Sequence, residues 1–303
     1  MKISEYFKLP AGHSNFEFVD IDTSYDTELF IDPCLIETSD DDFCKKCQEV
    51  INDYFDSFYN LYRNKCSYAE KIEMFSHAHE INATKLGYGS GNNGKAKTAE
   101  GMIETFAGIG GLVEQNVPLK KAIDLPLFIR DFAEDCLSDM LTNILFKELS
   151  EYTLNQCNIH SIPVKDVTNT FYYWDSSLHT WVQYNGKGLY IDGKLILLVP
   201  KHIVRHKYYY NTAQYFWSVI LTKKQQEQAT VDGKGKEYKP SKKSLRESLI
   251  KTNGDVLTIS EHETKEDPSL LERYHNSIGI AYSSKGMSDS ELDARTYETE
   301  NKA

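Results

Sequence analysis

Asp131-Phe-Ala-Glu-Asp135-Cys-Leu-Ser138-Asp139-Met-Leu-Thr142-Asn143-Ile-Leu is the stretch of this sequence best equipped for chemistry. At about 100° per residue, Asp135, Ser138, Asp139, Thr142 and Asn143 share one face of a helix, and Leu137, Met140, Leu141, Ile144 and Leu145 share the other. A solvated helix face is usually filled with Glu, Lys, Gln and Arg, because Asp, Ser, Thr and Asn each cost roughly half a kcal/mol in a helix interior. Two aspartates one turn apart also repel unless a cation lies between them. Hard divalent ions take carboxylate oxygens and keep several waters. The pattern predicts an ion, Mg²⁺ or Mn²⁺, on Asp135 and Asp139, with Ser138 and Asn143 holding water, metal oxygens or phosphate. An ordinary solvated face is the plain alternative.

The second candidate is Leu195-Ile-Leu-Leu-Val199-Pro200-Lys201-His202-Ile-Val-Arg205-His206. Its apolar run reads as a buried strand that Pro200 closes, so Lys201 emerges at the strand end, where polar residues serve sites more than cores. Lys201 is the expected catalytic partner of the acids, stabilising attacking water or developing phosphorane charge, and Arg205 the expected phosphate contact; two ordinary surface bases are the plain alternative. Gly89-Ser-Gly-Asn-Asn-Gly94-Lys95-Ala96 has phosphate-loop spacing, but Ala96 stands where a hydroxyl must bind Mg²⁺. An NTPase is therefore not expected, while Lys95 remains a candidate phosphate contact. On a helix His77 and His79 would point to opposite sides, so they cannot share an ion unless the helix has ended. Cys44 and Cys47 form a lone CxxC, short of the four ligands of a structural zinc site. No strand–turn–helix elbow supports a Ser/His/Asp triad.

Positioning these groups requires mixed elements. Residues 16–21 and 29–32 read as short strands, 41–64 and 68–80 as helices, and 98–107 as a short helix. A longer helix follows Pro126 and ends near Asn158. Strands follow at 181–184, 188–191 and 195–200, with Asp192-Gly193 as a hairpin turn. Helices at 211–228 and 241–251 complete the pattern. The order predicts an α+β fold, with helices on a small, mostly antiparallel sheet and a helical C-terminal extension. The expected organisation is a main domain at 1–228, a lysine-rich loop or linker at 229–243, a short helical segment at 244–282, and a disordered tail at 283–303.

Composition narrows the function classes. With 303 residues, 40% hydrophobic and 26% charged, the chain can bury a sizeable core. A net charge of −11 argues against coating nucleic acid by bulk charge, though a local basic groove remains compatible. Six dilute cysteines do not form a disulfide framework. No apolar run reaches transmembrane or signal-peptide form, so a cytoplasmic protein without membrane contact is expected. The 20 tyrosines suit half-buried surfaces and interfaces.

Acids on a helix followed by a hairpin and a strand-end lysine loosely resemble the PD-(D/E)XK nucleases. That family places an acid two residues before its lysine, where this chain has Val199; the literal match, Asp192-Gly193-Lys194, sits in the hairpin turn. Residues 29–36, 79–88, 138–144 and 197–204 are similar to a pattern in uncharacterised prokaryotic proteins, some associated with phage-defence gene neighbourhoods. At 128–134 this chain has Phe-Ile-Arg-Asp-Phe-Ala-Glu in place of a glycine-containing approach to the acidic helix, which implies an altered site. The resemblances imply a metal-dependent phosphodiester hydrolase, nuclease-like, in a bacterial defence or toxin-like setting. The expected partners are a nucleic-acid substrate and a protein of a multi-component system, with self-association left open. The alternative is a non-catalytic sensor or adaptor that binds protein through aromatic patches such as Tyr208, Tyr209 and Tyr210.

Overall fold

Caps and apolar spacing set the helices. Asp41 accepts from the Cys44 amide at 2.9 Å and starts the longest helix, whose buried side carries Cys47, Val50, Tyr54, Phe58 and Tyr62. Ser67 and Glu70 form a reciprocal capping box on the next helix. The computed structural model describes residues 1–79, 81–88, 98–281 and 286–297.

The chain opens with α1 (Ile3–Tyr6), β1 (Phe30–Ile31) and α2 (Pro33–Glu37). Helices α3 (Asp42–Arg63), α4 (Tyr68–Phe75), α5 (Ala99–Thr105), α6 (Ile109–Glu114), α7 (Asp124–Phe128), α8 (Glu134–Ile144) and α9 (Phe146–Ile159) follow. Strands β2 (Lys165–Asp166), β3 (Tyr172–Asp175), β4 (Thr180–Gln183), β5 (Lys187–Ile191), β6 (Lys194–Ile196) and β7 (Val204–Arg205) come next. Beyond them lie α10 (Thr212–Tyr215), a π-helical turn at Phe216–Ile220 and α11 (Leu221–Glu227). Strands β8 (Thr230–Val231) and β9 (Glu237–Tyr238) precede α12 (Lys242–Asn253), α13 (Val256–Glu266), α14 (Ser269–Ala281) and α15 (Asp289–Thr296).

The fold is α+β, with small antiparallel sheets and helices at the C-terminus. Pairings are β1 with β7, β2–β5–β6, β3 with β4, and β8 with β9. Asp192 and Gly193 both have positive φ, at 50° and 77°, and join β5 to β6 as the expected two-residue hairpin.

Four expectations change. Residues 16–21 make no ladder; Phe16, Phe18, Val19 and Ile21 are buried in an extended segment tied by single contacts, such as Val19 N to Val199 O at 2.9 Å. The helix expected to run on to Asn158 is broken into α7, α8 and α9, with Asp131 at φ 60° before α8. Ladder pairing ends at Ile196; the apolar run continues as buried chain whose Leu197 and Leu198 amides donate to Ala83 O and Thr153 Oγ1, each at 2.9 Å. The expected lysine-rich linker carries the β8–β9 hairpin.

The tail also holds a helix. In α15, Leu292 and Thr296 are buried and Ser288 with Glu291 forms a capping box. His13 Nε2 accepts from the Asp20 amide at 3.1 Å, so Nδ1 carries the proton and donates to Asp293 at 2.6 Å. The Tyr297 hydroxyl accepts from the Gly12 amide at 3.1 Å and donates to buried Asp20. Farther back, His275 of α14 meets Asp124 at 2.6 Å, both side chains buried, and that carboxylate also accepts the Lys120 and Lys121 amides at 3.0 and 2.9 Å. The C-terminal helices are thus packed onto the main body.

Candidate functional site

Helix α8 buries Leu137, Met140, Leu141 and Ile144, as its spacing requires. Its polar face is not an ordinary solvated one. Ser138 and Asn143 are buried, whereas Asp135 and Asp139 are half-buried. Ser138 Oγ accepts the Ile31 amide at 3.0 Å and so covers the edge of β1 that β7 does not pair. Asn143 Nδ2 donates to His79 O at 2.6 Å and Asp139 O at 3.1 Å. Both were expected to reach phosphate; burial and backbone partners give them a positioning role instead. The acidic pair is therefore anchored from beneath by its own helical neighbours.

Arg205 lies on the other edge of β1 from Ser138, where it pairs with Phe30. It is 8% exposed, its Nε lies 3.6 Å from Asp32 Oδ2, and its guanidinium stacks 4.3 Å from the Tyr209 ring centroid. Asp32 itself is fully buried and caps α2 by accepting the Cys34 amide at 2.9 Å. The strand expected at 29–32 ends on this acid, for which the sequence analysis gives no role. The signal was present, since Asp followed by Pro is an N-cap with proline in the first helical turn. Tyr208 ties the parts together, its hydroxyl donating to Ile31 O at 2.5 Å and lying 3.3 Å from Glu134 O.

The glycine-rich stretch departs from beside the acids. Gly87 has φ +136°, and a Cβ placed there would stand 2.7 Å from Asp135 Oδ1, so only glycine lets the backbone pass this carboxylate. Tyr88 donates to Glu134 at 3.0 Å and lies against Phe30. Lys95 lies outside the described residues.

Lys201 is not given over to the acids. Its ammonium contacts Asp289 at 2.9 Å and His13 O at 3.0 Å, so it fastens the segment that begins α15. The β5 strand of the hairpin packs on α9. Glu148 of α9 was not singled out from sequence, yet burial pushes its carboxyl up to about 7. No sequence motif marks it; its environment comes from packing alone. His77 stacks on Tyr172 at 3.6 Å, and Cys44 and Cys47 are both fully buried.

No helix among the described residues is long and apolar enough to cross a membrane. No curated protein and no solved structure matches the chain. One family model does, a domain of unknown function, DUF8370, over residues 8–211. That span takes in β1, α8, β7 and every described residue of the acidic site, and stops where α10 begins. The chain therefore belongs to the DUF8370 family.

Proposed function

We propose that this protein is a divalent-metal-dependent phosphodiester hydrolase, a nuclease-like effector in a bacterial defence or toxin-like setting. Asp135 and Asp139 would hold Mg²⁺ or Mn²⁺, which when bound would supply Lewis acidity and an activated water, and Arg205 would meet the phosphate. The observation that carries this reading is the convergence at β1 of three features: a half-buried carboxylate pair, a guanidinium fixed by a buried acid, and the glycine that opens the Gly-Lys stretch. Lys201, committed to Asp289, drops out of the proposed chemistry. The sensor or adaptor reading has less support, because Tyr208 and Tyr210 are buried and only Tyr209 of the three is exposed.

The test incubates the purified chain with plasmid, linear DNA and RNA in Mg²⁺, Mn²⁺ or EDTA, beside Asp139→Ala, Arg205→Lys and Lys201→Ala. Metal-dependent cleavage should fall about 100-fold or more in the first two variants and persist in Lys201→Ala. No cleavage by the parent, or full cleavage by Asp139→Ala, overturns the proposal.

A further inference from the structure

The geometry points to a second metal site, for a borderline-soft divalent ion of the zinc class, formed by Asp41, Cys44 and His202. These residues come from the start of α3 and the turn after Pro200. One atom from each, Asp41 Oδ2, Cys44 Sγ and His202 Nε2, forms a group whose members all lie within 4.8 Å of one another. Zinc takes thiolate, imidazole and carboxylate together, with bonds of about 2.3, 2.0 and 2.1 Å. A tetrahedron built on those bonds has edges of about 3.3 Å between nitrogen and oxygen and about 3.5 Å between nitrogen and sulfur. The observed separations are 3.3 Å from His202 Nε2 to Asp41 Oδ2 and 3.5 Å from His202 Nε2 to Cys44 Sγ. A charge-assisted hydrogen bond would draw the imidazole and carboxylate closer, to about 2.8 Å.

The three groups are held where a ligand set must be held. Asp41 Oδ1 is fixed by the Cys44 amide at 2.9 Å, and Oδ2 is oriented by the Ser39 hydroxyl, a supporting contact of the kind that tunes metal ligands. His202 sits on a turn secured by Lys201 N to Glu17 O at 3.0 Å and by Asp32 N to Ile203 O at 2.9 Å. Cys44 is fully buried, whereas Asp41 and His202 are 41% and 44% exposed at their side chains, so the fourth position opens to water. Three protein ligands with a solvent-facing fourth position is the form of a site that carries a bound water.

A Cys–His–Asp nucleophile arrangement does not fit the same atoms. The orienting acid of such a group binds the imidazole nitrogen opposite the nucleophile, whereas Asp41 and Cys44 both approach Nε2.

The test is a Co²⁺ titration of the full-length, EDTA-treated, reduced chain. It should show one equivalent bound, with a near-ultraviolet thiolate-to-cobalt band and the intense visible bands of four-coordinate cobalt. Zn²⁺ should erase them and excess Mg²⁺ should not, which separates this site from the ion proposed on α8. Cys44→Ser should abolish the thiolate band. His202→Asn, at a half-exposed position that leaves the core intact, should weaken binding beyond the roughly 10–100-fold loss typical of a supporting residue. Cys136→Ser should bind as the parent does. Absence of the band in the parent, its survival in Cys44→Ser, or unchanged affinity in His202→Asn overturns the inference; if Cys44→Ser does not fold, His202→Asn decides.

Discussion

Glu148→Gln should abolish a pH dependence of stability whose sign is fixed by burial. Glu148 Oε2 is buried and has no hydrogen-bond partner among the described residues, and burial lifts the carboxyl from 4.5 to about 7. Between those values the native chain keeps a proton that the unfolded chain has released. The group's contribution is full below about 4.5 and is lost as pH rises through about 7. At about 1.4 kcal/mol for each tenfold change in proton activity, the loss is on the order of 3 kcal/mol. Glutamine is neutral throughout, so relative to the parent the variant should gain on the order of 3 kcal/mol between about pH 4.5 and about pH 8. Urea unfolding followed by circular dichroism at both pH values measures this. Any fixed effect of the amide cancels in the difference. A change below about 1 kcal/mol, or a variant that loses ground at the higher pH, would refute the burial argument.

Two other substitutions test how the frame is held. Ser138→Ala should lower stability by about 1–3 kcal/mol, because the buried Ile31 amide loses its acceptor; an unchanged denaturation midpoint would remove Ser138 from its positioning role. Asp124→Ala should lose about 3–5 kcal/mol, since it strips partners from His275 and from the Lys120 and Lys121 amides. A His275→Ala, Asp124→Ala double variant should then lose less than the two single losses added, and strict additivity in unfolding experiments would count against a coupled pair.

Local features carried most of what the sequence made legible. Asp41, Ser67 and Ser241 announce helix starts through their own side chains, and Asp192-Gly193 announces a turn through its backbone preference. The α8 acids were legible for the same reason, because helical periodicity alone places Asp135 and Asp139 together. What escaped was settled by distant partners. Asp32 gains its meaning only when β7 delivers Arg205, and His202 only when its turn meets α3. Lys201 was placed correctly at the end of an apolar run but drew the wrong partner, because a helix at 289–296 takes its charge.

The α15 clamp also bears on how long the newborn protein must wait to be finished. His13, Asp20 and Gly12 meet Asp293 and Tyr297 across separations of 277 to 285 positions. At about 5–20 residues per second, synthesis leaves the first segment without those partners for roughly 15–60 s. During that interval the Asp20 carboxylate has Ser4, with its amide at 2.9 Å and hydroxyl at 2.5 Å, but not Tyr297. The beginning of the chain is thus among the last parts to reach its final state, and a ribosome stalled before residue 289 would hold out an N-terminal segment still lacking its clamp.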